Sequence, residues 1–446
     1  MKKLLIVSYV FPPMAAVGGF RVVKACKFLP EFGWQPVVLT VKEGFNYAYD
    51  YSMLEKLPPE LKVIRTRYFS PLMWWDERSQ PQTATSQKSD SSTSSGEKGA
   101  SPETNSGSMI GRSKQFVRNL ISIPDSHNFW VPFATAAGLK AIHREKIDAI
   151  LTTSPPASTH LIGCKLSWLT GRPLVVDYRD LWTQNEGYHL RKFSSGLRGI
   201  DRWLEKRVLK RASAIVTATD EFSELVRENN RYKRPELIAT ITNGIDPNDF
   251  KDIEFPDKKN EKFTLLHLGS LYGNRNPEFF FKALGAWLER RPEAVPKTSV
   301  LFYGNTPGYE SMLKGSPLEQ VVEFRGHVPQ HEILPMLWRS DMLLLILGFH
   351  PGGAGVMPAK LFEYICTGRP ILAFVPEGVA AKVIREHKRG TPVTGEDIES
   401  TVQALDVEFS AWQERSGPPP SSFQLPEAFD RRIQNKKLAE ILHSIV

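Results

Sequence analysis

The chain has 446 residues, 41% of them hydrophobic, which is too long for one ordinary core and about right for two α/β domains. Its net charge of +8 favours anionic partners: nucleotide diphosphates, acidic lipid head groups or nucleic acid. Cys26, Cys164 and Cys366 have neither metal-ligand nor redox spacing, so a zinc module and a disulfide framework are excluded, and buried thiols in a reducing compartment are expected.

The first eleven residues, MKKLLIVSYVF, imitate a short signal peptide, but a double proline follows at once and a strand from Lys3 to Tyr9 is the better reading. A loop rich in Pro and Gly follows, and from Phe20 a helical period places Val22, Val23, Cys26 and Leu29 on one face. Pro36 to Val41 is the next strand. Residues 79–113 lack aromatic and large aliphatic side chains over most of their length and are expected to be disordered. Ile147 to Thr152, Pro173 to Tyr178 and Ala214 to Thr217 are further strands. A helix from Gly196 to Arg211 has a basic face and an apolar side of Leu197, Ile200, Trp203, Leu204 and Val208. The segment 241–250 marks a domain boundary.

A second alternating series starts with a strand at Phe263 to Leu268 and a helix opened by Pro277. Ser299 to Tyr303, Val321 to Phe324, Met342 to Leu347 and Ile371 to Val375 are strands, and the stretch from Glu427 is helical. The alternation argues for two doubly wound sheets. No apolar run approaches the roughly 20 residues that span a bilayer, and a cytoplasmic protein is expected.

Four segments can carry chemistry. In GFHPGGAGVMPAKLFEY (348–364) a strand ends in glycines and a helix opens near Pro358, so free amides and the helix dipole favour an anion. Lys360 adds a full charge, and Glu363 can accept hydrogen bonds from vicinal hydroxyls; a surface ion pair between them is the alternative. In HLGSLYGNRNPEFF (267–280) Arg275 precedes a helix and can fork onto phosphate oxygens, or be a loop arginine. After the first strand, Gly18 and Gly19 allow close backbone approach, and Arg21 can serve phosphate or lie on the surface. In VVDYRDLWT (175–183) Asp177, Arg179 and Asp180 stand at the carboxyl edge of a sheet, as an ion network or as groups that orient substrate. His160, beside an apolar helix, is read as structural. No D-x-D pair or zinc spacing occurs, so no metal is expected.

In their order, FPPMAAVGGFR, TTSPPASTHLIG, VVDYRDLW, TNGID, HLGSLYGNRNP, FRGHVP and PAKLFEYICTGRPILA resemble the retaining GT-B glycosyltransferases of the group-1, family-4-like class. The resemblance covers nearly the whole chain outside the 79–113 insert. It implies two Rossmann-like doubly wound domains facing a cleft: residues 1–243 on the acceptor side, 244–426 for the nucleotide sugar, and a helix over 427–446 that returns to the first. Arg275 and Lys360 would hold a diphosphate, Glu363 a ribose, and the backbone at His327 and Val328 the base. Gly269 and Leu361 would complete the donor site, with Gly18 and Gly19 facing it. Asp180 and Arg179 are the expected catalytic groups. Two positions depart from the family pattern: Gly355 stands where a sugar-contacting glutamate often lies, and Arg179 aligns near a frequent histidine.

The expected reaction is sugar transfer from a nucleotide-diphosphate sugar, with no other cofactor, to the hydroxyl of a glycan or lipid-linked acceptor in cell-surface polysaccharide or glycoconjugate synthesis. A peripheral contact with the cytoplasmic face of a membrane is a further expectation; nucleic-acid binding is not. A sugar-nucleotide epimerase of the same fold and a non-catalytic nucleotide-sugar-binding subunit are the alternatives.

Overall fold

The computed structural model describes residues 1–42, 49–67, 117–184, 188, 193–229, 237–251, 253–271, 273, 275–306, 308–326, 328, 330–349, 351–419 and 423–446. The stretch 79–113, expected to be disordered, lies outside them. The chain forms two compact units: Met1–Thr242 together with Arg431–Val446, and Asn243–Asp430.

In the first unit the described strands are β1 (Lys2–Val7), β2 (Trp34–Val41), β3 (Lys62–Thr66), β4 (Ala149–Ser154), β5 (Leu174–Tyr178), β6 (Ala214–Thr217) and β7 (Ile238–Thr240). They pair in parallel in the order β3-β2-β1-β4-β5-β6-β7, so the winding direction reverses between β1 and β4. Continuous apolar runs form these strands because both faces are covered. In β1, Leu5 and Val7 enter a core with Trp130, Ile162 and Val208, while Leu4 and Ile6 enter one with Val22, Cys26 and Leu442. Each fully buried aliphatic side chain contributes about 1.5–3 kcal/mol.

In the second unit β8 (Phe263–Leu268), β9 (Thr298–Tyr303), β10 (Val322–Arg325), β11 (Met342–Ile346), β12 (Ile371–Phe374) and β13 (Gly390–Val393) are ordered β10-β9-β8-β11-β12-β13. Here the winding reverses between β8 and β11. Leu265 and Leu344 point to one core, and Leu266, Leu343 and Leu345 to the other.

Three local expectations need correction. The first helix is Val17–Phe28, so Gly18 and Gly19 lie inside its first turn and not in the loop; extended Ala16 caps it and accepts from Gly19 N at 2.9 Å. In the helix Ser195–Arg211, Ile200 and Trp203 do not join the buried side: they are 44% and 53% exposed. The inward face is instead Leu197, Asp201, Val208 and Leu209, because Trp182 Nε1 draws Asp201 under the helix with a 2.9 Å hydrogen bond. The last helix begins at Arg431, after a 3₁₀ turn at Glu427–Phe429. Among the described residues, no helix is long and apolar enough to cross a membrane.

Candidate functional site

The two segments singled out around Gly269 and Lys360 leave the carboxyl ends of β8 and β11, the strands that flank the reversal in the second sheet. Open α/β sheets hold ligands outside the carboxyl ends at such a point. Gly269 ends β8 with φ +124°, a backbone state that side chains rarely adopt, and a Cβ there would run into the Lys360 ammonium. Gly304, at the end of β9, is as close from the other side: a Cβ on it would sit 2.6 Å from the Gly269 carbonyl carbon.

Lys360 lies in the first turn of the helix Ala359–Thr367, whose start at Pro358 has no side-chain cap. Uncapped amides and the dipole make that end attractive to anions. Lys360 Nζ donates to the Leu268 carbonyl, so Lys360 reaches across to β8 and does not spend its charge on Glu363. Burial pushes the Lys360 amine down to about 7, with the Arg275 guanidinium adding to the effect and Glu363 opposing it. Burial pushes the Glu363 carboxyl up to about 7, with Lys360 opposing and Asp249 adding. Both side chains remain half-buried and reachable from solvent.

Groups missed in the sequence fix this corner from beneath. Buried His267 meets the Leu344 carbonyl through Nδ1 at 3.0 Å, and burial holds its pKa well below the usual range, so it is neutral. The Tyr364 hydroxyl accepts from Leu268 N at 3.3 Å. The end of β8 is therefore tied both to β11 and to the helix that carries Lys360. Leu361 points into the core, and its amide already donates to the Pro358 carbonyl at 3.0 Å, so its side chain is a packing group. Half-buried Val328 follows β10, and His327 lies outside the described residues.

In the first unit Arg21 is neither a surface group nor a free phosphate ligand. It forks onto Asp177 through Nε (2.9 Å) and Nη2 (2.8 Å) and donates to the Thr242 carbonyl at 2.9 Å. Asp177 also accepts from Thr153 Oγ1 at 2.9 Å, so it belongs to a buried ion network. Arg179 folds back from β5 and donates through Nε to the Ser154 carbonyl at 2.6 Å. Its guanidinium lies against Gly18, where any side chain would collide with it. Gly18 thus makes room for Arg179, while a Cβ on Gly19 would make only an ordinary 3.5 Å contact with Val10. Asp180 is exposed beside Arg179. The protein mass around it raises its carboxyl above the usual range, and Arg179 pulls in the opposite direction. His160 is fully buried on Thr152 Oγ1 at 2.8 Å, and burial pushes it down to about 3, so it is neutral and structural. Asp125, also missed, accepts from Ser158 N (2.8 Å) and Ser158 Oγ (2.7 Å) where the helix Ser158–Thr170 begins. Among the described residues no group of three or more His, Cys, Asp or Glu could hold a metal ion.

Residues 103–244 match the family model described as "Glycosyl transferase 4-like domain". A putative teichuronic acid biosynthesis glycosyltransferase, TuaH of Bacillus subtilis, is 24% identical over 249 residues, 52% of this chain. The chain spans 60% of that relative's length. Among solved structures, sucrose-phosphate synthase from Thermosynechococcus elongatus has a TM-score of 0.57 at 14% identity, over 100% of this chain and 95% of its own. Anabaena HepE in complex with UDP and glucose has a TM-score of 0.55 at 15% identity, over the full length of both chains. WaaG, a glycosyltransferase involved in lipopolysaccharide biosynthesis, has a TM-score of 0.57 at 14% identity over 98% of this chain and 99% of its own.

Two Rossmann-like parallel sheets, joined in this order, make the fold GT-B. Residues 103–244 are thus similar to a glycosyl transferase 4-like domain, and part of the chain is similar to a putative teichuronic acid biosynthesis glycosyltransferase.

Proposed function

We propose that the chain transfers a sugar from a nucleotide-diphosphate sugar to an acceptor hydroxyl in the synthesis of a polysaccharide or glycoconjugate. The observation that carries this reading is the convergence of Gly269, Lys360 and the uncapped start of Ala359–Thr367 at the β8/β11 reversal, with the charge of Arg275 acting on Lys360. A diphosphate fits such a corner: two cations, free amides and no side chain at Gly269 to block approach. Glu363, one turn along the same helix, is placed to accept from ribose hydroxyls. The presence of UDP and glucose in the HepE structure supports a nucleotide-sugar ligand for this fold.

The reaction breaks the bond between the anomeric carbon and the diphosphate oxygen, and negative charge grows on the diphosphate. Lys360, Arg275 and the helix amides stabilise that charge; each preorganised donor of this kind is worth roughly 3–4 kcal/mol. Arg179 and Asp180, at the carboxyl edge of the first sheet, serve the acceptor glycan or lipid-linked acceptor. Retention of anomeric configuration follows from the resemblance, and no metal takes part.

The test is turnover of donor by Lys360→Ala and Glu363→Ala. Lys360→Ala lowers kcat by about 10²–10³, and Glu363→Ala raises KM for the donor, both with unchanged far-UV circular dichroism. Normal turnover in both variants removes the assignment.

A further inference from the structure

The loops that follow β1 and β2 meet on the carboxyl edge of the first sheet. Met14 and Tyr49 form an antiparallel bridge, and Asp50 N donates to the Pro13 carbonyl at 2.7 Å. The 3₁₀ turn Tyr51–Leu54 comes next, capped by Asp50, which accepts from Ser52 N at 3.0 Å and from Ser52 Oγ at 2.6 Å. Buried Met53 seats this turn on the unit. Tyr51 is left 68% exposed and Tyr49 37% exposed, and their rings stack with centres 6.4 Å apart and 23° between planes. Two aromatic rings held together in solvent by a bridge and a capped turn form a preset contact surface.

The charges at this edge select the ligand. Arg65, near the end of β3, donates through Nη2 to the Pro12 carbonyl at 2.5 Å, and Trp130 Nε1 fixes the adjacent Thr66 Oγ1 at 2.6 Å. Burial lowers the pKa of Arg65, and Tyr49 opposes that effect, so the phenol and the guanidinium are close neighbours. Lys42 and Arg67, which directly follow β2 and β3, are both exposed, and Lys42 N donates to the Thr66 carbonyl at 2.7 Å. Asp50 spends its carboxylate on Ser52, and Glu55 is followed at once by Lys56. A pyranose matches such a surface: the C–H groups of one face pack on an aromatic ring, while its rim of hydroxyls needs polar partners. Phenol hydroxyls set among cations suit that rim better than they suit an acyl chain.

We propose that Tyr51, with Tyr49 and Arg65, forms a subsite for an anionic sugar residue of a glycan acceptor, a uronate or a phosphate-bearing sugar. The sugar ring stacks on Tyr51, and Arg65 and Lys42 meet the carboxylate or phosphate. The inference rests on the glycosyl-transfer reading in taking this glycan as the acceptor, but the subsite shares no residue with the donor corner.

The experiment is binding of the full chain to a panel of uronate-bearing, phosphate-bearing and neutral oligosaccharides, with nucleoside-diphosphate binding by the native chain measured in parallel. Binding is expected to one or both acidic sets and to weaken with added salt; the set that binds identifies the anion. Tyr51→Ala should lower affinity for the best acidic glycan by about fivefold or more, and Tyr51→Phe should keep it within about twofold, because the ring is what stacks. Arg65→Gln should lower it by about tenfold or more. Tyr51 stands mostly in solvent, so its variants decide the matter if Arg65→Gln misfolds. No binding to either acidic set, equal binding to the neutral set, or unchanged affinity in Tyr51→Ala overturns the proposal. A native chain that binds diphosphate but no acidic glycan loses this subsite and keeps its donor corner; one that binds acidic glycan but no diphosphate does the reverse.

Discussion

Lys360 is the central side chain of the proposed donor site in the second unit. Burial and Arg275 bring its amine down to about 7, so near neutral pH it holds its charge only part of the time. A diphosphate favours the charged form, and its binding therefore draws a proton onto Lys360. The affinity for a nucleoside diphosphate should be greatest below pH 7 and fall as pH rises through that value. Calorimetry in buffers of different ionisation enthalpy should record proton uptake above pH 7, and Lys360→Arg should flatten the profile because guanidinium stays charged. Gly269 is the partner of this lysine. Gly269→Ala imposes a strained φ of +124° and an obstacle to Lys360, and should cost about 1–3 kcal/mol of stability, read by urea unfolding. In the first unit Asp177→Ala leaves the guanidinium of Arg21, only 11% exposed, without its carboxylate. Breaking a buried pair from one side costs about 3–5 kcal/mol, which urea unfolding should also detect.

Elements with strong apolar runs were legible in the sequence. The run Phe263 to Leu268 has the same bounds in the structure, and Met342–Ile346 differs from expectation by one residue. Two edge strands, β3 and β13, were not legible, although the edge strand β10 was. β3 reads KVIRT with most of its residues only partly buried, and β13 reads GTPV, so neither presents a continuous apolar signal. The helix Ser195–Arg211 misled because hydropathy alone counted Ile200 and Trp203 inward, while a hydrogen bond from Trp182 turned Asp201 inward. The glycine segments before Lys360 and Arg275 were visible as strand–loop–helix transitions. His267 and Tyr364, which fix the same corner, were not, because a buried polar group inside an apolar run shows no period of its own. Packing between elements can be tested at Trp287 on the helix Glu278–Arg290, whose ring meets Phe409 of Ile398–Glu414 edge-on at 5.3 Å. Trp287→Ala should destabilise the second unit by about 3–5 kcal/mol.

At the scale of the molecule, the chain leaves the first unit at Thr242 and re-enters it at Arg431. The last helix, Arg431–Ile445, supplies Leu438, Ala439 and Leu442 to a core shared with Val22 and Cys26. Truncation after Asp430 should expose that core, so hydrogen exchange should quicken in β1 and Val17–Phe28 while β8 and β11 keep their protection. The fold is two sheets of GT-B type, and the proposed chemistry rests on the corner where β8 and β11 part. The most direct test of that corner is titration calorimetry with a panel of nucleoside diphosphates and their sugars, on the native chain, Lys360→Ala and Glu363→Ala. At least one nucleotide should bind the native chain, with affinity lost in Lys360→Ala and reduced in Glu363→Ala. Binding of equal strength in all three proteins, or no binding by the native chain, would contradict the account.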